Sequence, residues 1–418
     1  MSENNIASIS NCRICGHDQL KPILNLGEQK LTGRFPAHID ETITAGPLSI
    51  VQCDMEIGCG LVQLAHSYDL NEMYGETYGY RSGLNESMVR HLAEKVTDIL
   101  ERGWLKDGDI VLDIGSNDGT TLGHFPREQF RLIGIDPSAA KFSEYYRDDI
   151  VQVPDFFAAE KFDTLFPDEK AKLVTSFSMF YDLEAPVAFA QDVSTILAQD
   201  GVWCFEQSYM PAMLAANSFD TICHEHLEYY SLTQIVDILG RVGLKLLDVN
   251  FNDVNGGSFS VYCGKIDGPH EANSEVIDAI LNEEGAARYD TDAPFDAFKS
   301  RVAEQRAAVM AFLKKARDEG KTVVGLGAST KGNVLLQYYG ITSDLLSCIA
   351  EVNPDKFGCF TPGTLIPIRD QKEVLAEKPD YLFVLPWHFR GFFEQLPVLA
   401  GHTLVFPLPE LDIVTAGT

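Results

Sequence analysis

The 418-residue sequence lacks any run of 18 apolar residues and any basic segment leading into an apolar one. Nothing in it is long enough to cross a bilayer as a helix, and nothing reads as a secretory leader. A soluble protein kept in the cytoplasm is the expectation. Positive charge is also scarce: 33 Lys and Arg stand against 61 Asp and Glu, a net charge of -28. Nucleic acid and anionic membrane both require a positive field, so neither is expected as a partner. Any phosphate the chain binds must be met by a local cation. A disulfide framework is missing too, since nine cysteines in a chain without a leader read as thiols or metal ligands. What remains is ordinary globular composition, 45% hydrophobic and 22% charged, over a length that calls for two or three cores.

Four of the nine cysteines come early, as Cys12-x-x-Cys15 and Cys53-x5-Cys59. Two thiolate pairs suit one tetrahedral zinc, although the second spacing is wider than usual. Gly58 and Gly60 flank Cys59 and permit the tight turn this needs. Four free thiols are the plain alternative, and Cys204, Cys223, Cys263, Cys348 and Cys359 show how scattered unpaired cysteines are here. With cysteine at all four positions, no coordination site is left for water or substrate, so the metal should hold the fold rather than do chemistry.

Residues 110–119 are a short apolar run that stops at Asp113 and turns through Gly115 and Gly119 into a helical pattern. Strand, turn and helix in this order belong to an open parallel sheet, whose ligands sit at the carboxyl ends of the strands. A carboxylate at Asp113 would repel a pyrophosphate. About twenty residues after Gly115 a second apolar run ends in Asp136, where a carboxylate can accept both hydroxyls of a ribose. A third strand end carries Asp155, Phe156 and Phe157. This pattern resembles the S-adenosylmethionine (SAM) site of class I methyltransferases, with Asp113, Gly115, Ser116, Asn117, Gly119, Asp136, Asp155 and Phe156 as cofactor candidates. A fourth strand from Leu173 runs into a loop containing Tyr181, residues 185–198 have helical periodicity, and a fifth strand ends at Glu206 and Gln207. Such alternation predicts a doubly wound sheet.

Between the cysteines and this sheet, residues 72–82 are dense in tyrosine. Tyr78 and Tyr80 are candidates for a lid, or for simple packing with wet hydroxyls. Asn85 is placed to cap the helix that follows. His224, Glu225 and His226 form the densest chemical stretch. Histidines at i and i+2 are poorly spaced for one metal, so a general base oriented by the neighbouring carboxylate is the stronger reading. A satisfied loop histidine is the alternative. Asn255 and Gly256 then open a strand and could bring backbone amides near a ligand.

In the last third, residues 322–327 form a strand entering a glycine turn, Gly332 follows, and Glu351 ends the next strand. That spacing satisfies an NAD fingerprint, making a dinucleotide oxidoreductase the runner-up. Against it, Lys331 and Asn333 put a cation and an amide at the turn, and Lys356 and Thr364 add a second polar corner. These suit the diphosphate and nucleoside of a sugar nucleotide. A third reading makes this part a non-catalytic docking module. Trp387 and His388 follow the strand at 381–385 and could line the same cleft.

Together these motifs resemble the sugar C-methyltransferases that act on nucleotide-linked keto-deoxysugars. The likeness covers nearly the whole chain. It implies an α/β protein with a small N-terminal zinc module (1–70), a class I methyltransferase, Rossmann-like SAM-binding domain (71–265) and a second, C-terminal Rossmann-like domain (266–418) that binds the nucleotide sugar. In that family the second His of His-Glu-His removes the proton beside the ketone, which implies His226 as base with Glu225 assisting. His224 completes the motif, and the tyrosine loop corresponds to Tyr78 and Tyr80. Two positions depart from the family pattern: Cys223 stands where tyrosine is usual, and Tyr181 where histidine occurs. Transfer to carbon requires an enolate, so a hydroxyl such as Tyr181, Tyr78 or Tyr80 is expected to donate to its oxygen. No catalytic metal is needed, and sugar O-methylation is the near alternative.

Overall fold

In the computed structural model the described residues are 6–69, 73 and 80–417, with the side chain of Asn255 outside the description. Strands β1 (Leu20–Lys30), β2 (Ala45–Cys53) and β3 (Val62–Leu64) form an antiparallel sheet. Burial along β2 alternates from Ala45 to Gln52, as a half-buried strand requires, and Gly46, Leu48 and Ile50 face inward. The fourth strand of this sheet is lent by a distant part of the chain: Glu228 pairs with Gln63 and Tyr229 with Val62. The His-Glu-His stretch therefore lies at the seam between the N-terminal module and the middle of the protein.

The middle sheet follows helix α1 (Glu86–Glu101), whose N-cap Asn85 accepts from the Ser87 amide and whose Leu92, Val96 and Ile99 are buried, as the sequence predicts. Strands β4 (Ile110–Ile114), β5 (Arg131–Ile135), β6 (Ile150–Val153) and β7 (Ala171–Phe177) are followed by helix α2 (Pro186–Ile196) and strand β8 (Leu197–Ser208). Helix α3 (Leu232–Arg241) leads to the hairpin β9 (Leu244–Asn252) and β10 (Ser258–Lys265). The order across the sheet is β9-β10-β8-β7-β4-β5-β6, parallel except where β10 runs antiparallel to β8 and β9. The chain leaves β4 for β5 and β6 on one side and returns to β7 on the other. That reversal opens a crevice at the carboxyl end of β4, where ligands bind in such sheets.

Helix α4 (Ser274–Ala287) packs on β9 and α3. Its Glu284 accepts from the Leu232 and Thr233 amides at 2.6 and 3.0 Å, satisfying the first turn of α3. The long α5 (Ala293–Asp318) then leads into β11 (Val323–Leu326), α6 (Thr330–Tyr339), β12 (Ile349–Glu351), β13 (Ile368–Asp370), β14 (Tyr381–Val384), β15 (Thr403–Phe406) and β16 (Asp412–Thr415). The sheet order is β13-β12-β11-β14-β15-β16, with only β16 antiparallel. This is the second Rossmann-like sheet expected from sequence. Among the described residues no helix is long and apolar enough to cross a membrane.

The N-terminal module is wedged between the two larger sheets. Leu48, Ile50 and Leu64 share one apolar core with Leu335, Phe383 and Leu385 of the C-terminal sheet. Cys12 and Cys53 instead pack with Phe180, Tyr230 and Leu239 of the middle domain. Polar bonds reinforce the first contact: Asn333 Nδ2 donates to the Thr32 carbonyl at 2.8 Å, and the Gln337 amide pairs with both backbone groups of Lys30. Asn333 is fully buried. Asn333→Ala leaves the Thr32 carbonyl without its donor and is expected to cost about 1–3 kcal/mol, measured as a lower midpoint of urea unfolding.

Candidate active site

The four early cysteines converge. Cys12 and Cys59 sulfurs lie 3.5 Å apart, as do those of Cys15 and Cys53, and all four fall within 4.8 Å of one another. Bonds of ~2.3 Å to a tetrahedral zinc put its sulfurs roughly 3.8 Å apart, so the set fits. A Cβ on Gly58 would lie 2.4 Å from the Cys53 sulfur, which is why that turn admits only glycine. The hydrogen bond between Cys12 and Cys59 pushes the Cys12 thiol down and the Cys59 thiol up, so the pair shares one proton between two sulfurs.

The crevice at β4 is a cavity lined by Asp113, Ser116, Asp136, Phe156 and Met179, with Met88 and Leu92 of α1 closing one side. Gly115 at φ +75° turns the chain away from the strand, and a Cβ there would press on Met179 at 3.1 Å. Asp113 accepts from the Thr175 hydroxyl at 2.6 Å, and burial pushes its carboxyl up to about 7. Asp136 accepts from the Asn117 amide at 2.9 Å and the Ser138 amide at 2.6 Å. The Ser138 hydroxyl donates to the same oxygen as its amide, so of the two lone-pair directions on each carboxylate oxygen Asp136 keeps one, on Oδ2, for a further hydroxyl donor.

Several cofactor candidates turn out to shape the pocket through the backbone. Ser116 shares a 2.8 Å hydrogen bond with the Tyr146 hydroxyl, and a Cβ on Gly119 would collide with the Tyr146 ring. Asn117 Nδ2 donates to the Tyr80 carbonyl and its Oδ1 accepts from the Ser82 amide, while Asp118 accepts from the Gly83 amide. Residues 80–83 are thereby tied over the pocket, with Tyr80 half exposed at its rim. Tyr78 lies outside the described residues. Asp155 is not brought into the cavity: it turns outward to an ion pair with Lys161 at 2.6 Å, leaving Phe156 and Phe157 at that corner.

The loop after β7 carries Tyr181, then Asp182, Leu183 and Glu184, which line the same cavity. The Tyr181 ring lies 4.3 Å from that of His226. His226 Nδ1 is 2.9 Å from the Thr221 carbonyl. A carbonyl can only accept, so Nδ1 carries the proton and Nε2 the lone pair. Burial and the nearby Lys331 charge lower the His226 pKa to about 3, so the ring is neutral at pH 7.

The expected help from Glu225 is corrected. Its carboxyl points to residues 32–33, where a Cβ on Gly33 would sit 2.5 Å from its Oε1, and the Thr221 carbonyl orients His226 instead. Nor does Glu225 raise the basicity of His226, whose pKa desolvation lowers. His224 points the other way, fully buried and edge-on to Tyr68 at 4.7 Å, with burial lowering its pKa to about 4. The two imidazoles share no site. Cys223 is buried, with its thiol pushed well up by desolvation, so it is no substitute for a reactive hydroxyl.

A cluster of buried polar side chains lies between the middle and C-terminal sheets. Lys331, in the first turn of α6, acts electrostatically on Asp220, His226 and His388. Trp387 Nε1 donates to Asp220 at 2.8 Å, linking the two parts, and a Cβ on Gly256 would lie 3.7 Å from the Trp387 ring. The other predicted substrate residues are used internally. Asn333 binds Thr32; Glu351 accepts from the amides of Ala328, Val352 and Asn353 at 2.7–2.9 Å. Lys356 donates to the Ala328 carbonyl and lies over Phe35, and Thr364 pairs with Thr361 within its own turn. The glycines of the apparent NAD fingerprint are likewise explained by packing. Cβ atoms on Gly327 and Gly332 would meet Pro386 at 2.7 Å and Leu385 at 2.8 Å.

One buried cluster escaped the sequence reading. Glu206, at the end of β8, meets His91 at 2.5 Å, Lys95 at 3.0 Å, Asn252 at 2.8 Å and Ser260 at 2.5 Å, and these partners hold its carboxyl down to about 2 despite desolvation. It pins α1, hence Met88 and Leu92, against the sheet. The signal available in sequence was His91 and Lys95 at i and i+4 on a helix whose neighbours are apolar.

Comparison with known proteins agrees with this architecture. Family models match residues 12–74 as a zinc binding domain, 85–249 as a methyltransferase domain and 253–409 as a C-methyltransferase C-terminal domain. The C-methyltransferase NovU of Streptomyces niveus is 29% identical over 424 residues, spanning 98% of both chains. Among solved structures, the mitomycin 7-O-methyltransferase MmcR is 14% identical over 44% of this chain and 55% of its own (TM-score 0.34). Magnesium protoporphyrin IX methyltransferase of Synechocystis PCC 6803 is 13% identical over 43% and 82% (TM-score 0.33). Those two likenesses are too loose to bear on the site. The three matched domains, taken with the full-length likeness to NovU, make the chain a SAM-dependent methyltransferase with a zinc-binding N-terminal module and a C-methyltransferase C-terminal domain.

Proposed function

We propose that the chain methylates a ring carbon beside the ketone of a nucleotide-linked keto-deoxysugar by way of an enolate. The observation that carries this reading is His226, a neutral imidazole with Nδ1 held by Thr221 and Nε2 left to accept a proton, in contact with Tyr181 of the cofactor-cavity loop. SAM, when bound, supplies an electrophilic methyl group. Asp113 and Asp136 would hold it at the β4 crevice, Phe156 would cover its base, and residues 80–83 would exclude water.

Carbon becomes nucleophilic only after losing a proton beside a carbonyl. His226 Nε2 would take that proton, and the Thr221 carbonyl would favour the imidazolium that forms. A hydroxyl from Tyr181, Tyr80 or Tyr78 would donate to the enolate oxygen, an effect worth ~2.7–4 kcal/mol in other enzymes. Lys331 would meet the diphosphate, supplying locally the positive charge that a chain of net -28 lacks overall. Trp387, His388 and the backbone at Gly256 would line the remaining wall, with the substrate between the middle and C-terminal sheets.

Sugar O-methylation separates from this reading by isotope. Loss of a carbon-bound proton predicts that the substrate exchanges deuterium from D2O beside its ketone. His226→Gln is expected to remove that exchange and lower turnover by about 10²–10⁴-fold with S-adenosylhomocysteine (SAH) binding unchanged. Exchange that persists in the variant would rule His226 out as the base.

Asp113 adds a pH dependence. Its carboxyl is protonated below about 7 and ionised above. A sulfonium favours the ionised form, so SAM affinity measured by calorimetry should rise from pH 6 to pH 8. Asp113→Asn should flatten that rise.

A further inference from the structure

Arg13 stands between two cysteines of the zinc set, and its side chain leaves the knuckle for the methyltransferase domain. Only 3% of that side chain is exposed. Nη1 donates to the Leu64 carbonyl at 2.8 Å and Nη2 to the Ser67 hydroxyl at 3.0 Å. Nε donates to Glu184 at 3.2 Å. Glu184 lines the cofactor cavity on the loop that also carries Tyr181. A parallel path runs through the backbone: the Leu227 amide donates to the Tyr181 carbonyl at 2.7 Å, and the Leu64 amide to the Leu227 carbonyl at 2.8 Å. Leu64 is thus bonded both to Arg13 and to the segment that follows His226.

The knuckle sets where Arg13 starts from. The Gly16 amide donates to the Cys12 carbonyl at 2.9 Å, the Cys12 amide to the His17 carbonyl at 2.8 Å, and the Arg13 amide to Gln63 at 3.1 Å. A metal bound by Cys12 and Cys15 would hold the two residues flanking Arg13 and Ile14 in one geometry. A guanidinium is a rigid planar fork, so a shift of its backbone is transmitted to every acceptor it serves.

We infer that Arg13 is a positioning residue through which the zinc knuckle sets the geometry of the cofactor loop, so that loss of the metal weakens cofactor binding. The zinc then has a role beyond holding its own module together, although it touches neither cofactor nor substrate. This rests on the SAM-binding fold alone and is independent of which sugar is methylated.

The test is calorimetric titration with SAH, with zinc content measured on the same samples. Arg13→Gln is expected to keep its zinc and bind SAH about tenfold more weakly. Removing zinc from the wild type should weaken SAH by a similar factor, and removing it from Arg13→Gln should add little. Glu184→Gln provides a second route from the exposed side of the pair: the double variant should be no weaker than the weaker-binding single variant. Unchanged SAH affinity in zinc-replete Arg13→Gln overturns the inference, as do losses that multiply in the double variant.

Discussion

The pairing of Glu228 and Tyr229 with β3 is the constraint on which the rest of the molecule depends. It places a strand from the middle of the chain at the edge of the N-terminal sheet, closing an edge that would otherwise expose unpaired backbone groups. Because strand register moves in steps of one residue and each step inverts the side chains, this pairing also determines which way the preceding residues face. Leu227 is held to Tyr181 on one side and Leu64 on the other, so His226 and the loop lining the cofactor cavity are positioned by the same few hydrogen bonds.

Electrostatics follow from that burial. The chain is strongly acidic, and two acids near the site show how burial and partners decide charge. Glu206 keeps its charge because Lys95, His91, Asn252 and Ser260 surround it, whereas Asp113, with only the Thr175 and Thr121 hydroxyls as partners, has its pKa pushed up by desolvation. His226 loses its proton for the same reason that Asp113 gains one: removal from water disfavours whichever form is charged. A low pKa makes His226 a weak base in the free protein. In the proposed reaction a developing enolate opposite the ring would favour the imidazolium and so change that balance.

The C-terminal sheet shows how one sequence pattern serves two purposes. A strand, a glycine turn and an acid at the end of the next strand suit a dinucleotide, and they equally suit close packing of a helix on its sheet. Here Glu351 satisfies three backbone amides, and Gly327 and Gly332 make room for Pro386 and Leu385. Asn333 and Lys356 serve the contact with the N-terminal module, whereas Lys331 acts electrostatically on Asp220, His226 and His388.

Hydrophobic periodicity and turn chemistry act over a few residues, and whatever they control was legible in the sequence. That includes strands β4 to β8 and β10 of the middle sheet, β11, β12 and β14 of the C-terminal one, the Asn85 cap, the β4 turn at Gly115, and the four cysteines as one ligand set. The spacing of His224 and His226 also excluded a shared metal. Partners brought from far along the chain were not legible, because no local pattern records them. Glu225 stands beside His226 in sequence but faces Gly33, while the carbonyl that orients the imidazole comes from Thr221. Asp155 answers to Lys161 rather than to the cavity, and Asn333 to Thr32. The sequence alone determined which chemistry the protein carries, since residue types and short spacings set that. Tertiary structure decided which of those residues face the cavity at β4, because a buried polar side chain must find its partner wherever the fold provides one.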